Sequence, residues 1–195
     1  MSLMLVNLAL SPLSVVLPLF AKIGKDMPAW YLGALESSIA LGAIAGAFSL
    51  NFLQAHLKRR MVMVLCIETA GLGILLLAWS PGLILPLLMV FLAGFGITAS
   101  NIQTNTQIAL VIPDSHRARF NSIIYFLCVG IMPLGVAGSS LLIARAGLSA
   151  SLLLMGLMIM LLTPLLLWIP QLTEFLEVRA GKAGGFLKGH YPGNF

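Results

Sequence analysis

Residues 83–112 read LILPLLMVFLAGFGITASNIQTNTQIALVI, and this stretch decides the fold class. Its first half is an uncharged apolar run. Its second half carries Thr98, Ser100, Asn101, Gln103, Thr104, Asn105, Thr106 and Gln107 without a helix-breaking residue among them. At 1.5 Å per residue a helix over this stretch is about 45 Å long, more than a hydrocarbon core of about 30 Å. At 100° per residue its polar side chains point nearly all round the axis. Such a segment cannot face lipid without leaving amides unsatisfied, so its far end either lines a polar cavity or emerges into water.

The flanking sequence has the same apolar character. Of 195 residues, 59% are hydrophobic and 9% charged, with a mean hydropathy of +1.04; globular chains carry roughly 25% charge and 45–50% apolar residues. A water-soluble fold is excluded. At about 20 residues per membrane helix, six helices use about 120 positions, nearly the whole apolar content. The expected class is therefore all-α: a polytopic membrane protein with six transmembrane helices over residues 3–21, 30–53, 61–79, 83–112, 120–143 and 148–169, then a polar, Gly-rich tail over 170–195. No room remains for a separate soluble catalytic domain. Ser80-Pro81-Gly82 closes the third and fourth segments into a tight hairpin, and Ala144-Arg145-Ala146-Gly147 joins the last two.

The net charge of +5 reports orientation in a polytopic chain, so no nucleic-acid partner is expected. Lys58, Arg59, Arg60, Arg117, Arg119, Arg179, Lys182 and Lys188 fall on the side of the termini; Lys22, Lys25 and Arg145 fall on the other. This asymmetry predicts a multi-pass protein of the cell (inner) membrane with both termini and the tail cytoplasmic.

Catalysis has no residues to carry it at membrane depth. His56, His116 and His190 lie in loops or the tail, no HExxH occurs, and Ser139 and Ser140 have no intramembrane base. Cys66 and Cys128 stand in apolar stretches without metal-spaced partners. No enzyme activity, metal, disulfide or bound cofactor is expected. Two acids fall within spans, Glu36 in the outer third and Glu68 near the midplane. Each reads either as a proton-exchanging group or as an acid hydrogen-bonded between helices, with snorkelling also open to Glu36. In the polar stretch, Asn101 and Asn105 share a face one turn apart with Thr98 close to it, which makes this the expected substrate face; Gln107 is expected to be solvated. Gly42-x-x-x-Gly46 permits close helix approach, and Pro133 removes a backbone hydrogen bond in the fifth segment. A short echo between Leu41-Gly42-Ala43-Ile44-Ala45-Gly46 and Leu134-Gly135-Val136-Ala137-Gly138, three spans apart, reads as an inverted three-plus-three repeat.

The fourth loop carries a more specific signal. Gln107-Ile108-Ala109-Leu110-Val111-Ile112-Pro113-Asp114-Ser115-His116-Arg117-Ala118-Arg119-Phe120-Asn121-Ser122 resembles the loop between helices ten and eleven of major facilitator superfamily transporters of the efflux branch, with Ala118 where that branch usually has Gly. Leu32-Gly33-Ala34-Leu35-Glu36-Ser37-Ser38, followed by Gly42 and Gly46, is similar to helix eight of the same branch, and Lys58-Arg59-Arg60 resembles a degraded copy of its basic loop motif. Gly130-x-x-Pro133-x-Gly135-x-x-Gly138 is loosely similar to the antiporter Gly-Pro motif of helix five. The resemblance runs from the first segment as helix seven to the sixth as helix twelve. It implies that helices seven, eight, ten and eleven line a central cavity while nine and twelve are peripheral, which favours Glu36 and Asn101 over Glu68. It places Asp114, Arg117 and Arg119 in a cytoplasmic gate. It also implies the C-terminal half of a secondary transporter, expelling small amphipathic compounds at the expense of a proton gradient, whose partner is a missing N-terminal half or a second copy. The alternative is a truncated, non-transporting membrane protein or a helical partner subunit.

Overall fold

A computed structural model describes residues 13–24, 27–112 and 114–167. All regular structure among them is helical. The order is α1 (Leu13–Leu19), continued by a wider π turn over Phe20–Gly24, then α2 (Ala29–His56), α3 (Arg59–Leu77), α4 (Ile84–Val111), α5 (Asp114–Ala146) and α6 (Leu148–Leu167). Among the described residues, four stretches are long and apolar enough to cross a membrane: Ala29–His56, Arg59–Leu77, Ile84–Val111 and His116–Ala146. α6 is apolar as well over Leu148–Pro164. The expected first segment is described only from residue 13, and the tail, with Arg179, Lys182 and Lys188, lies outside the described residues.

Local chemistry sets the helix ends. Pro28, extended at ψ 158°, stands just outside α2. Leu57 and Lys58 are both extended and separate α2 from α3. Gly82, at φ 69°, turns the chain between α3 and α4, and Gly147, at φ 83°, turns it between α5 and α6; only glycine adopts this left-handed backbone without cost. The Gly147 N–H donates to the Ile143 carbonyl at 3.0 Å, closing the end of α5. Ile112 precedes Pro113, and the ring of a following proline disfavours helical backbone; Ile112 is accordingly extended at ψ 126° and ends α4. The next helix then starts at Asp114, ahead of the apolar segment expected from residue 120. The loop that carries the resemblance is thus mostly the first two turns of α5.

α4 is the hub of the bundle, packing along α2 and α3, while α6 packs on α3 and α5 makes its main contact with α6. Glycines set the closeness of these crossings. A Cβ on Gly42 would overlap the Phe91 carbonyl, and one on Gly46 the Phe95 carbonyl. Gly94 faces the Ile39 backbone, Gly73 the Met89 carbonyl, and Gly96 the Cys66 carbonyl in the same way. Small residues that bring backbones together drive helix association where no hydrophobic effect separates protein from lipid. The Tyr31 hydroxyl, fully buried, donates to the Leu83 carbonyl at 3.0 Å and ties the starts of α2 and α4 together. The core runs through Val16, Leu35, Ile67, Ile74, Val90, Leu152 and Ile159.

Candidate functional site

The second half of α4 divides its polar residues between two faces. Ser100, Gln103, Thr104, Gln107, Ile108 and Val111 are buried, a three-and-four spacing that continues the inward stripe of Met89, Val90, Ala93 and Gly96. The two hydroxyls find partners within α4 itself. The Ser100 hydroxyl donates to the Ile97 carbonyl at 2.9 Å and the Thr104 hydroxyl to the Ser100 carbonyl at 2.9 Å. Gln103 Nε2 donates across the interface to the Arg59 carbonyl at the start of α3, while Gln103 Oε1 is buried without a partner. Gln107, expected to be solvated, is 1% exposed. This corrects the sequence reading: the helix keeps its inward stripe to its last turn, and position 107 lies on it.

Asn101 and Asn105 occupy the other face and are exposed. With Thr104 and Ile108 they form one wall of a cavity of about 540 Å³, and Asn121, Ser122, Ile124, Tyr125 and Cys128 of α5 form the other. That volume lies within the range of small-molecule sites, about 300–1,000 Å³. The wall is mixed, with three carboxamides, a phenol, a thiol and two hydroxyls beside two isoleucines. The Ser122 hydroxyl donates back to the Ala118 carbonyl at 2.9 Å, as Thr104 does within α4, so both oxygens keep lone pairs for an incoming donor.

The other expected site residues lie elsewhere. Thr98 is half-buried and off the cavity wall. Glu36 is exposed on α2; because Gly42 meets α4 at Phe91 and Phe95, Glu36 stands about 20 Å along the bundle from Asn101 at 1.5 Å per residue. Glu68 is half-buried beside the Thr163 side chain of α6, whose hydroxyl donates to the Ile159 carbonyl at 2.6 Å, and it is not on the cavity wall. Arg119 is exposed. Arg117 turns its Nη2 onto the end of α4, donating to the Ala109 carbonyl at 2.7 Å and to the Ile112 carbonyl at 3.4 Å. The Asp114 side chain lies outside the described residues. Asn121, Ser122, Tyr125 and Cys128 escaped the sequence reading. A signal for them exists in the spacing 121, 125, 128, one face of a helix at three- and four-residue steps.

No family model matches the chain, and no solved structure matches it. The chain is similar to the multidrug efflux pump Tap of Mycolicibacterium fortuitum, 27% identical over 145 residues that make up 73% of this chain and 35% of that protein. The chain thus spans about a third of the length of this curated relative. Together with the long apolar helices, this similarity supports a multi-pass membrane protein.

Proposed function

We propose that the chain is the C-terminal half of a secondary active transporter of the major facilitator type, expelling small amphipathic compounds by alternating access in exchange for protons. The observation that carries this reading is the mixed cavity between α4 and α5, set at one end of an otherwise apolar bundle. The similarity to a multidrug efflux pump supports export as the direction of use. Lys58, Arg59, Arg60, Arg117 and Arg119 gather at the α2–α3 and α4–α5 connections, whereas Lys22 and Arg145 lie at the other end; this favours a cytoplasmic cavity end and cytoplasmic termini in the cell membrane.

Exposed faces on α2 and α5 support a partner half, either an N-terminal six-helix unit or a second copy. Leu41, Ile44, Phe48 and Phe52 project from α2, and Tyr125, Phe126 and Leu134 from α5. Gly42 and Gly46 of α2 are filled by α4, while Gly138, the α5 counterpart in the inverted-repeat reading, has open space beside it. Glu36, exposed near the opposite end from the cavity, is the proposed proton-exchanging acid, and the Glu68–Thr163 pair is a structural tie between α3 and α6.

Everted membrane vesicles from source cells with and without the chain test the proposal, since they retain whatever partner the cell supplies. With an imposed pH gradient and either cationic ethidium or neutral Nile red as probe, chain-dependent accumulation that a protonophore abolishes is the expected result. Equal uptake of both dyes by the two vesicle preparations overturns the proposal.

A further inference from the structure

Among the described residues, the lining of the α4–α5 cavity carries no side chain that is charged at neutral pH: Asn101, Thr104, Asn105, Ile108, Asn121, Ser122, Ile124, Tyr125 and Cys128 make up its described wall. We infer that the cavity takes an electrically neutral compound with several hydrogen-bonding groups along one edge and an apolar flank, in the manner of a glycoside or a polyamide. This inference rests on the reading of the cavity as the transporter's ligand site and names the ligand class that site accepts.

The chemistry of the wall argues for it. Three asparagine carboxamides each offer two N–H donors and a carbonyl acceptor. Ser122 and Thr104 give their protons to backbone carbonyls and present oxygen lone pairs. Donors and acceptors are therefore interspersed, which suits neutral groups that both give and accept hydrogen bonds. Ile108, Ile124 and the 71% exposed ring of Tyr125 supply the apolar flank. The described wall offers a charged ligand no counter-charge, so whatever hydration such a ligand gives up there goes uncompensated. Arg117, in the first turn of α5, directs its Nη2 at the last carbonyls of α4. An anion drawn by the neighbouring arginines is the sharpest rival, and it belongs in the test.

Cys128 on the wall and Cys66, 1% exposed in the core, provide a readout without substitution. The chain is reconstituted in phosphatidylcholine liposomes and the rate of N-ethylmaleimide alkylation at Cys128 is followed by mass spectrometry, with Cys66 as the shielded reference. Three probes share one tail: octyl glucoside, octyltrimethylammonium and octyl sulfate, compared at equal membrane-partitioned amounts below their micellar range. Octyl glucoside slows Cys128 alkylation at least about fivefold, a change equivalent to about 1 kcal/mol, and neither charged probe reaches half that effect. Asn121→Asp, at an exposed position, then moves protection to octyltrimethylammonium. A charged probe that protects the unsubstituted chain as well as octyl glucoside, or an Asn121→Asp chain whose preference does not move, overturns the neutral-ligand inference alone. No protection by any of the three overturns the ligand-site reading as well.

Discussion

Arg117 Nη2 donates to the carbonyl of Ala109 at 2.7 Å, across eight residues of sequence and the turn between two helices. Four carbonyls at a helix end have no partner within the helix, and the end carries a partial negative charge. The guanidinium answers both needs at the C-terminus of α4, so the arginine that the resemblance assigns to a gate also fixes the corner on which the cavity wall hangs.

Replacing Arg117 by alanine should therefore loosen the last turn of α4 by about 1 kcal/mol. Hydrogen–deuterium exchange is the measurement: amides over residues 108–112 should exchange about fivefold faster, a ratio that follows from that energy. Arg117→Lys keeps the charge but loses the fork geometry, and should fall between the two. Unchanged exchange in Arg117→Ala contradicts the capping role.

The glycine contacts make a contrast within one helix. Gly42→Leu places a side chain against the Phe91 carbonyl, and overpacking of this kind costs about 1–3 kcal/mol. At Gly33, where a Cβ meets nothing within 4 Å, Gly33→Ala should leave stability unchanged or raise it by up to about 1 kcal/mol through helix propensity. Thermal unfolding in one mild detergent compares the two; equal melting temperatures would show that α2 does not pack on α4 through its glycines.

Gln103 offers a test of the buried polar stripe. Its carboxamide holds the start of α3 while Oε1 has no partner, so an apolar residue of similar shape gives up a hydrogen bond but also removes an unsatisfied atom. Gln103→Met should stay within about 1 kcal/mol of the parent. Gln103→Glu puts a carboxylate in the same place and should cost several kcal/mol at neutral pH, of the order expected for an unpaired buried charge. Similar unfolding midpoints for both variants would place position 103 in contact with water.

Much of this was legible in the residues themselves. The apolar runs, the turn at Ser80-Pro81-Gly82, Gly147 and the Ile112-Pro113 stop all act locally, so the sequence exposes them. Asn101 and Asn105 were legible as a shared face because helical period alone sets it. Gln107 departs from its expected solvation because the inward stripe of Met89, Val90, Ala93 and Gly96 continues to it, and position on the stripe outweighs polarity. The α5 wall was illegible for another reason: Asn121, Tyr125 and Cys128 become a site only when α5 stands beside α4, and that placement depends on tertiary packing. The 20 Å offset of Glu36 from Asn101 likewise follows from where Gly42 meets Phe91, a contact that no local pattern encodes.

The two acids should part company in transport. Glu36→Gln is expected to reduce proton-driven dye accumulation in everted vesicles at least about tenfold, as loss of the exchanging group requires on the scale of general proton-transfer effects. Glu68→Gln keeps a hydrogen-bonding partner for Thr163 and should retain most of the flux. The reverse ranking would move the proton pathway to the α3–α6 interface.

Nile red flux in energised everted vesicles containing Asn101→Leu/Asn105→Leu tests most directly whether the α4–α5 cavity carries the transported compound. The control is Thr98→Val, a change on the same helix but off the wall. Expression and complex size on native gels provide the comparison of fold. The expected result is at least about a tenfold loss of flux for the asparagine pair, the scale expected when polar ligand contacts are lost, with Thr98→Val near the parent. Full flux in the doubly substituted chain, at equal amount and complex size, would contradict it.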